Sequence, residues 1–173
     1  MEYKIDTKIS EQSKKILKEI IGEENVDIYI NNDNLPKEWS YDIIIKNKNM
    51  SIIVKNKCKD EIDNDEYFQF EIEKNNKSTE NYIKICSLSK IKNISILNNN
   101  VLWKNKENSW NIDCDVKIKI IDSNENELSI QPIDSLAGFI FITNNSTKEL
   151  SNSEIWKMKT EQFTITKEIE EML

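Results

Sequence analysis

The chain has 173 residues, enough for one ordinary domain or two small ones, and its 38% hydrophobic content suffices to bury a core. Its formal net charge is −7, and all 24 basic residues are Lys, with neither Arg nor His present. That composition excludes Ser-His-Asp triads, Cys-His dyads and His-ligated zinc, and it supplies no bidentate guanidinium fork for phosphate or guanine.

In chain order, "MEYKIDTKIS" lacks the apolar centre of a secretory signal. "ISEQSKKILKEIIGEEN" is the clearest helix: Ser10 caps it, Ile16, Leu17, Ile20 and Ile21 form one apolar stripe, and Gly22 stops it. "VDIYI" alternates as a strand and "NNDNLPKEW" is a loop. "YDIIIKNKNMSIIVK" is a hairpin of two β-branched runs around "KNKN". "CKDEIDNDE" is an acidic loop, and "YFQFEIE" is a strand burying Phe68, Phe70 and Ile72 with Tyr67 facing out. "NYIKICSL", "NISIL" and "VLWK" are three short strands linked by Asn-rich turns. "NIDCDVKIK" then lies in the strongest strand signal of the chain. Trp110, Ile112, Cys114, Val116, Ile118 and Ile120 share an inner face, and Asn111, Asp113, Asp115, Lys117 and Lys119 share a wet one. "LSIQP" and "FIFIT" are strands, "WKMK" and "FTIT" alternate as strands, and "KEIEEML" is a short terminal helix.

Short links between neighbouring strands favour antiparallel pairing. The expected fold is α+β: a mostly antiparallel β-sheet with an N-terminal helix packed on it and a short C-terminal helix. It forms a single domain over 1–173, or two sheet halves at about 1–100 and 101–173.

Candidate sites are few. The two glycines, Gly22 and Gly138, lie far apart, so no Gly-rich phosphate loop can be built. Cys58, Cys86 and Cys114 are odd in number and form no C-x-x-C, which reads as reduced, packed thiols in a cytoplasmic protein. Asp113, Asp115 and Lys117 match the D-x-K spacing of metal nucleases, but alternating charges on a wet strand face are also ordinary cross-strand pairing. The acidic loop concentrates Asp60, Glu61, Asp63, Asp65 and Glu66. It lacks the glycine and spacing of an EF-hand, so it reads as a solvated loop where a basic partner can dock. Ala137 and Gly138, small residues in a chain with no other Ala, point to close backbone approach or a turn with positive φ, with Asp134 or Ser135 capping it.

Helix, strand and "YDIIIKNKNMSIIVKNK" together resemble the core of the PD-(D/E)xK nuclease superfamily over about 50 residues. The resemblance aligns Asp42 with the first metal-binding acid and Lys57 with the lysine. Lys55 occupies the place of the second acid, where it would repel a cation.

Net negative charge opposes nucleic acid and membrane surfaces as ligands and permits a basic protein partner. The leading expectation is a non-catalytic cytoplasmic binding protein of the immunity or inhibitor type, from a bacterium of low GC content. Its acidic surface, at Asp60, Glu61, Asp63, Asp65 and Glu66 and at Asp113 and Asp115, would neutralise a basic toxin or nuclease, with no cofactor and no metal. The alternatives are a degenerate metal-dependent nuclease and a structural or assembly subunit.

Overall fold

The computed structural model describes residues 1–60, 62, 63, 65–133, 138, 140–144, 148–158, 160 and 162–173; the side chains of Cys58 and Asp60 lie outside that description. In chain order the elements are β1 (Glu2–Thr7), α1 (Glu11–Lys18), β2 (Glu24–Ile30), β3 (Trp39–Ser40), β4 (Asp42–Lys46), β5 (Ser51–Asp60) and β6 (Glu66–Lys74). They continue with β7 (Ile83–Lys104), β8 (Ser109–Asp122), β9 (Glu127–Pro132), β10 (Ile140–Asn144), α2 (Asn152–Lys157) and β11 (Thr164–Met172).

The strands pair in the order β3-β10-β9-β8-β7-β2-β4-β5-β6, with β1 added to β8 and β11 to β7. Every described pairing is antiparallel except β1 with β8. Among the described residues the protein is thus mostly antiparallel sheet with two helices. The end strand β6 returns to the middle of the sheet: Gln69 Nε2 donates to the Lys8 carbonyl, Lys59 Nζ to the Asp6 carbonyl, and Cys114 Sγ lies 3.9 Å from the Phe68 carbonyl. The sheet therefore curls, and Ile28, Ile45, Val54 and Ile72 share one apolar cluster with Ile94, Ile96, Ile118 and Ile130.

The spine of the fold is the β7–β8 ribbon. Three short strands with Asn-rich turns were expected over residues 81–104; β7 is instead one strand of 22 residues. Asn98, Asn99 and Asn100 stay in the ladder opposite Asp115, Cys114 and Asp113. Asparagine is a poor strand former, but here the three side chains bond to Asp113 and Asp115, to Trp156, and to Asn111 respectively.

The register jumps between Leu97↔Lys117 and Asn98↔Asp115, leaving Val116 as an extra residue. Such a bulge shifts the side-chain phase of one strand against the other. On β7, Ile94 and Ile96 are out of phase with Val101 and Trp103, so they lie on opposite faces. On β8 the unbroken apolar series Ile112, Cys114, Val116, Ile118, Ile120 crosses the bulge, so Ile112 and Cys114 join one core and Ile118 and Ile120 the other. A pattern that reads as one face in sequence serves two faces in space.

Ser10 caps α1, accepting from the Ser13 amide at 3.1 Å, and Leu17 and Ile20 are fully buried in the larger cluster. Gly22 follows at φ +89°. Gly138 has φ +64°, and a Cβ there would meet the Asn56 carbonyl at 3.0 Å, so close approach and a left-handed backbone both operate at this position. Ala137, Asp134 and Ser135 fall outside the described residues.

Three local expectations are corrected. "KEIEEML" is not a helix: it belongs to β11 and pairs with β7. A helix that short is costly to nucleate in isolation, and the open edge of β7 offers a ladder instead. "WKMK" is not a strand: Trp156 and Lys157 lie in α2, started by the capping box of Ser151 and Glu154. Tyr67 does not face out but is buried with Phe68, at a point where β6 feeds two cores.

Candidate binding surface

Two polar regions contain the acids singled out from the sequence, and they touch opposite faces of β8. The first is the acidic turn between β5 and β6. Asp63 accepts from the Tyr67 hydroxyl at 2.6 Å and from the Trp110 indole at 2.7 Å. Burial pushes its carboxyl up, but these two donors together with backbone amides of the turn outweigh it and hold the group below the ordinary carboxylate range. Asp63 in turn accepts from the Asp65 amide, and Asp65 accepts from the Glu66 amide at 2.9 Å. Asp63 was expected to be a solvated charge; it is the peg that fixes the turn.

Beneath the peg lies an aromatic array built from four strands. Tyr3 stacks on Trp110 at 5.4 Å, Trp110 meets Trp103 at 5.4 Å, and Trp103 stacks on Tyr67 at 6.3 Å between ring centroids. Tyr67 is buried, whereas Tyr3, Trp103 and Trp110 keep part of their rings in solvent. Ile62, at the tip of the turn, is 76% exposed, and Asp65 beside it is exposed. The arrangement offers an apolar tip, carboxylates and indole edges together, a composition that suits a desolvated anchor surrounded by charge. Glu61 and the side chain of Asp60 lie outside the described residues.

The second region is an open polar basin of about 600 Å³, lined in part by Lys8, Lys14, Asn98, Asp113, Asp115 and Glu171. The Asn98 amide donates to Asp113 at 2.8 Å and to Asp115 at 3.0 Å. Lys8 binds Asp113 at 2.9 Å, and the Ile9 amide donates to Asp115 at 2.7 Å. The wet face expected for both aspartates holds only for Asp113. Asp115 is 3% exposed because it sits at the β8 bulge, under the turn leading into α1. Burial raises the Asp115 carboxyl despite its two hydrogen bonds. At Asp113 burial, the largest single influence, pushes the carboxyl up, but the hydrogen bonds of Lys8 and Asn98 and the nearby lysine charges together outweigh it, and the group is lowered. Lys117 does not complete a D-x-K: past the bulge it pairs with Glu149 at 2.5 Å.

The hairpin residues of the nuclease-like pattern are engaged elsewhere. Asp42 stands opposite Lys55 in the ladder and accepts from the Tyr82 hydroxyl at 3.1 Å, while Lys55 bonds Glu73 and Lys57 bonds Glu71. Burial, reinforced by the Asp42 carboxylate, pushes the Tyr82 hydroxyl up to about 12. Among the described residues no three Cys, Asp or Glu converge in a geometry that could hold a metal ion, and no helix is long and apolar enough to cross a membrane.

Sequence reasoning found the acidic turn but missed Tyr3 and Tyr67 as its aromatic floor. β1 is too short to announce itself, although "EYKID" does alternate. No protein family, curated protein or solved structure matches the chain.

Proposed function

We propose that this protein is a non-catalytic binding protein of the inhibitor or immunity type, acting in the cytoplasm on a basic toxin or nuclease. Its docking surface is the acidic turn over the aromatic end of the β7–β8 ribbon. One observation carries the reading: Asp63 is held by both Tyr67 and Trp110, which presets the turn above partly exposed rings. A preset turn loses little conformational entropy on binding, and a Lys or Arg of the partner would find carboxylates and an indole together. The engagement of Asp42, Lys55 and Lys57 with other side chains favours this reading over a metal-dependent one.

The test is affinity capture from the native host, followed by association kinetics with Asp65→Lys and Glu66→Lys combined. Asp63 is left intact, since its reversal would break the turn itself. Each of these charges contributes about 1 kcal/mol or less, so the pair is expected to slow association measurably and flatten its salt dependence. An acidic partner, or a double variant associating at the wild-type rate with the wild-type salt slope, would overturn the proposal.

A further inference from the structure

β11 is a long strand with one side unused. It pairs with β7 from Thr164 to Met172, and no described residue pairs with its other edge. Along an antiparallel strand every second residue points its N–H and C=O away from the existing partner, so the outer edge is a row of open donors and acceptors. Of its nine residues only Ile165 is even half-buried; Ile169 is 43% exposed and Met172 59%. Ile165 at one end and Leu173 just past the other pack against the cores, and the residues between them belong to neither apolar cluster.

Its charges select an occupant. β11 holds Glu168, Glu170 and Glu171 against Lys167 alone. Two carboxylates are held in place on opposite faces of the ladder: Glu170 accepts from Ser95 Oγ at 2.6 Å and Glu171 from Lys14 at 2.7 Å. Antiparallel pairing of β11 with a second copy over its full length would set Glu168 against Glu168, and like charges directly opposite are destabilising. A strand carrying lysine or arginine on alternate residues would instead set its cations, all on one face, beside Glu168 and Glu170.

We infer that β11 is a docking edge for an extended basic segment of another polypeptide, which joins the sheet as an added strand next to β11. Backbone hydrogen bonds supply the affinity and the glutamates choose the charge. This surface is separate from the acidic turn and does not require it.

The probe is a peptide of alternating Lys and Val matched to β11 in length, with a Glu–Val counterpart and a Lys–Val peptide N-methylated on alternate amides. Hydrogen exchange of the intact protein reads the result. The Lys–Val peptide should slow exchange across Thr164–Met172, and the Glu–Val and N-methylated peptides should not. Glu168→Lys combined with Glu170→Lys should weaken binding of the Lys–Val peptide roughly tenfold and admit the Glu–Val one. Binding of the N-methylated peptide as tight as that of its parent would overturn the inference, since no ladder would be needed. So would protection confined to another edge, or concentration-dependent protection of β11 without peptide, which would make the occupant a second copy.

Discussion

Among the described residues β6 and β11 each have a strand partner on one side only, yet the molecule treats their other sides differently. At β6 the chain supplies a cover. Ser13 of α1 places its hydroxyl where a strand residue would be, donating to the Ile72 carbonyl at 3.2 Å and accepting from the Ile72 amide at 3.1 Å. Gln69 reaches the Lys8 carbonyl, and Leu17 belongs to the same apolar cluster as Phe70 and Ile72. At β11 no described residue plays that part: the strand is charged on both faces and pairs, among the described residues, with β7 alone. An exposed edge is a hazard that proteins either cover or charge. This one uses both devices at two places, and of these two edges the charged one is left without a described cover.

The comparison breaks most visibly if the cover is undermined. Leu17 is fully buried, so Leu17→Ala removes apolar contacts and leaves a cavity between α1 and the sheet, at a cost of about 2–5 kcal/mol. Chemical denaturation would measure it. A loss below about 1 kcal/mol would show that α1 contributes little to the core.

Ser13→Ala is the finer cut. It orphans both the amide and the carbonyl of Ile72 while leaving the helix stripe intact, and each unsatisfied buried group costs about 1–3 kcal/mol. Hydrogen exchange at the Ile72 amide should accelerate beyond what the global destabilisation explains. Unchanged exchange there would mean that water or another donor replaces the hydroxyl.

The covered edge was partly legible in the sequence, and the open edge was not. Ser10, the stripe Ile16–Leu17–Ile20–Ile21 and Gly22 carry α1 locally, because capping and periodicity are short-range properties. β11 could not be read from "KEIEEML", whose residues suit a helix; its state is fixed by pairing with β7, some 70 residues earlier. The same holds for Asp115. Strict alternation puts it in water, and the bulge at Val116, set by the register against β7, buries it. The acidic turn was visible as composition, but the role of Asp63 within it depends on Trp110, which only the fold brings near.

Asp115 also fastens the cover, since it holds the Ile9 amide at the start of the turn into α1, and its titration has a defined sign. Its folded carboxyl is raised above the unfolded value of about 3.9, so the folded state retains the proton longer. Its contribution therefore declines as pH rises from about 3.9 through the raised folded pKa, and is level above that. Asp113, lowered by Lys8 and Asn98 against the push of its burial, acts the other way: its contribution is present above about 3.9 and is lost as pH falls through its folded pKa. Asp115→Asn should remove the first trend and keep the second, so stability in mildly acidic solution should rise more steeply with pH than in the parent. A parallel pair of stability–pH curves would show that Asp115 carries no shift.

The smallest effect belongs to β11. Ile169 is 43% exposed and belongs to neither apolar cluster, so Ile169→Thr, which keeps the β-branched shape, removes little buried surface. The expected change in unfolding free energy is within about 0.5 kcal/mol, as for other surface substitutions. The contrast with Leu17→Ala is the measure of the two edges: similar aliphatic side chains, one under a covered strand and one on an open strand, should differ several-fold in cost. A loss at Ile169 approaching that at Leu17 would mean that the open edge of β11 is covered in the free protein, and the distinction between the two edges would disappear. A loss near zero that grows once the Lys–Val peptide is bound would place the missing cover on the partner, since only then would Ile169 have a neighbouring strand to pack against.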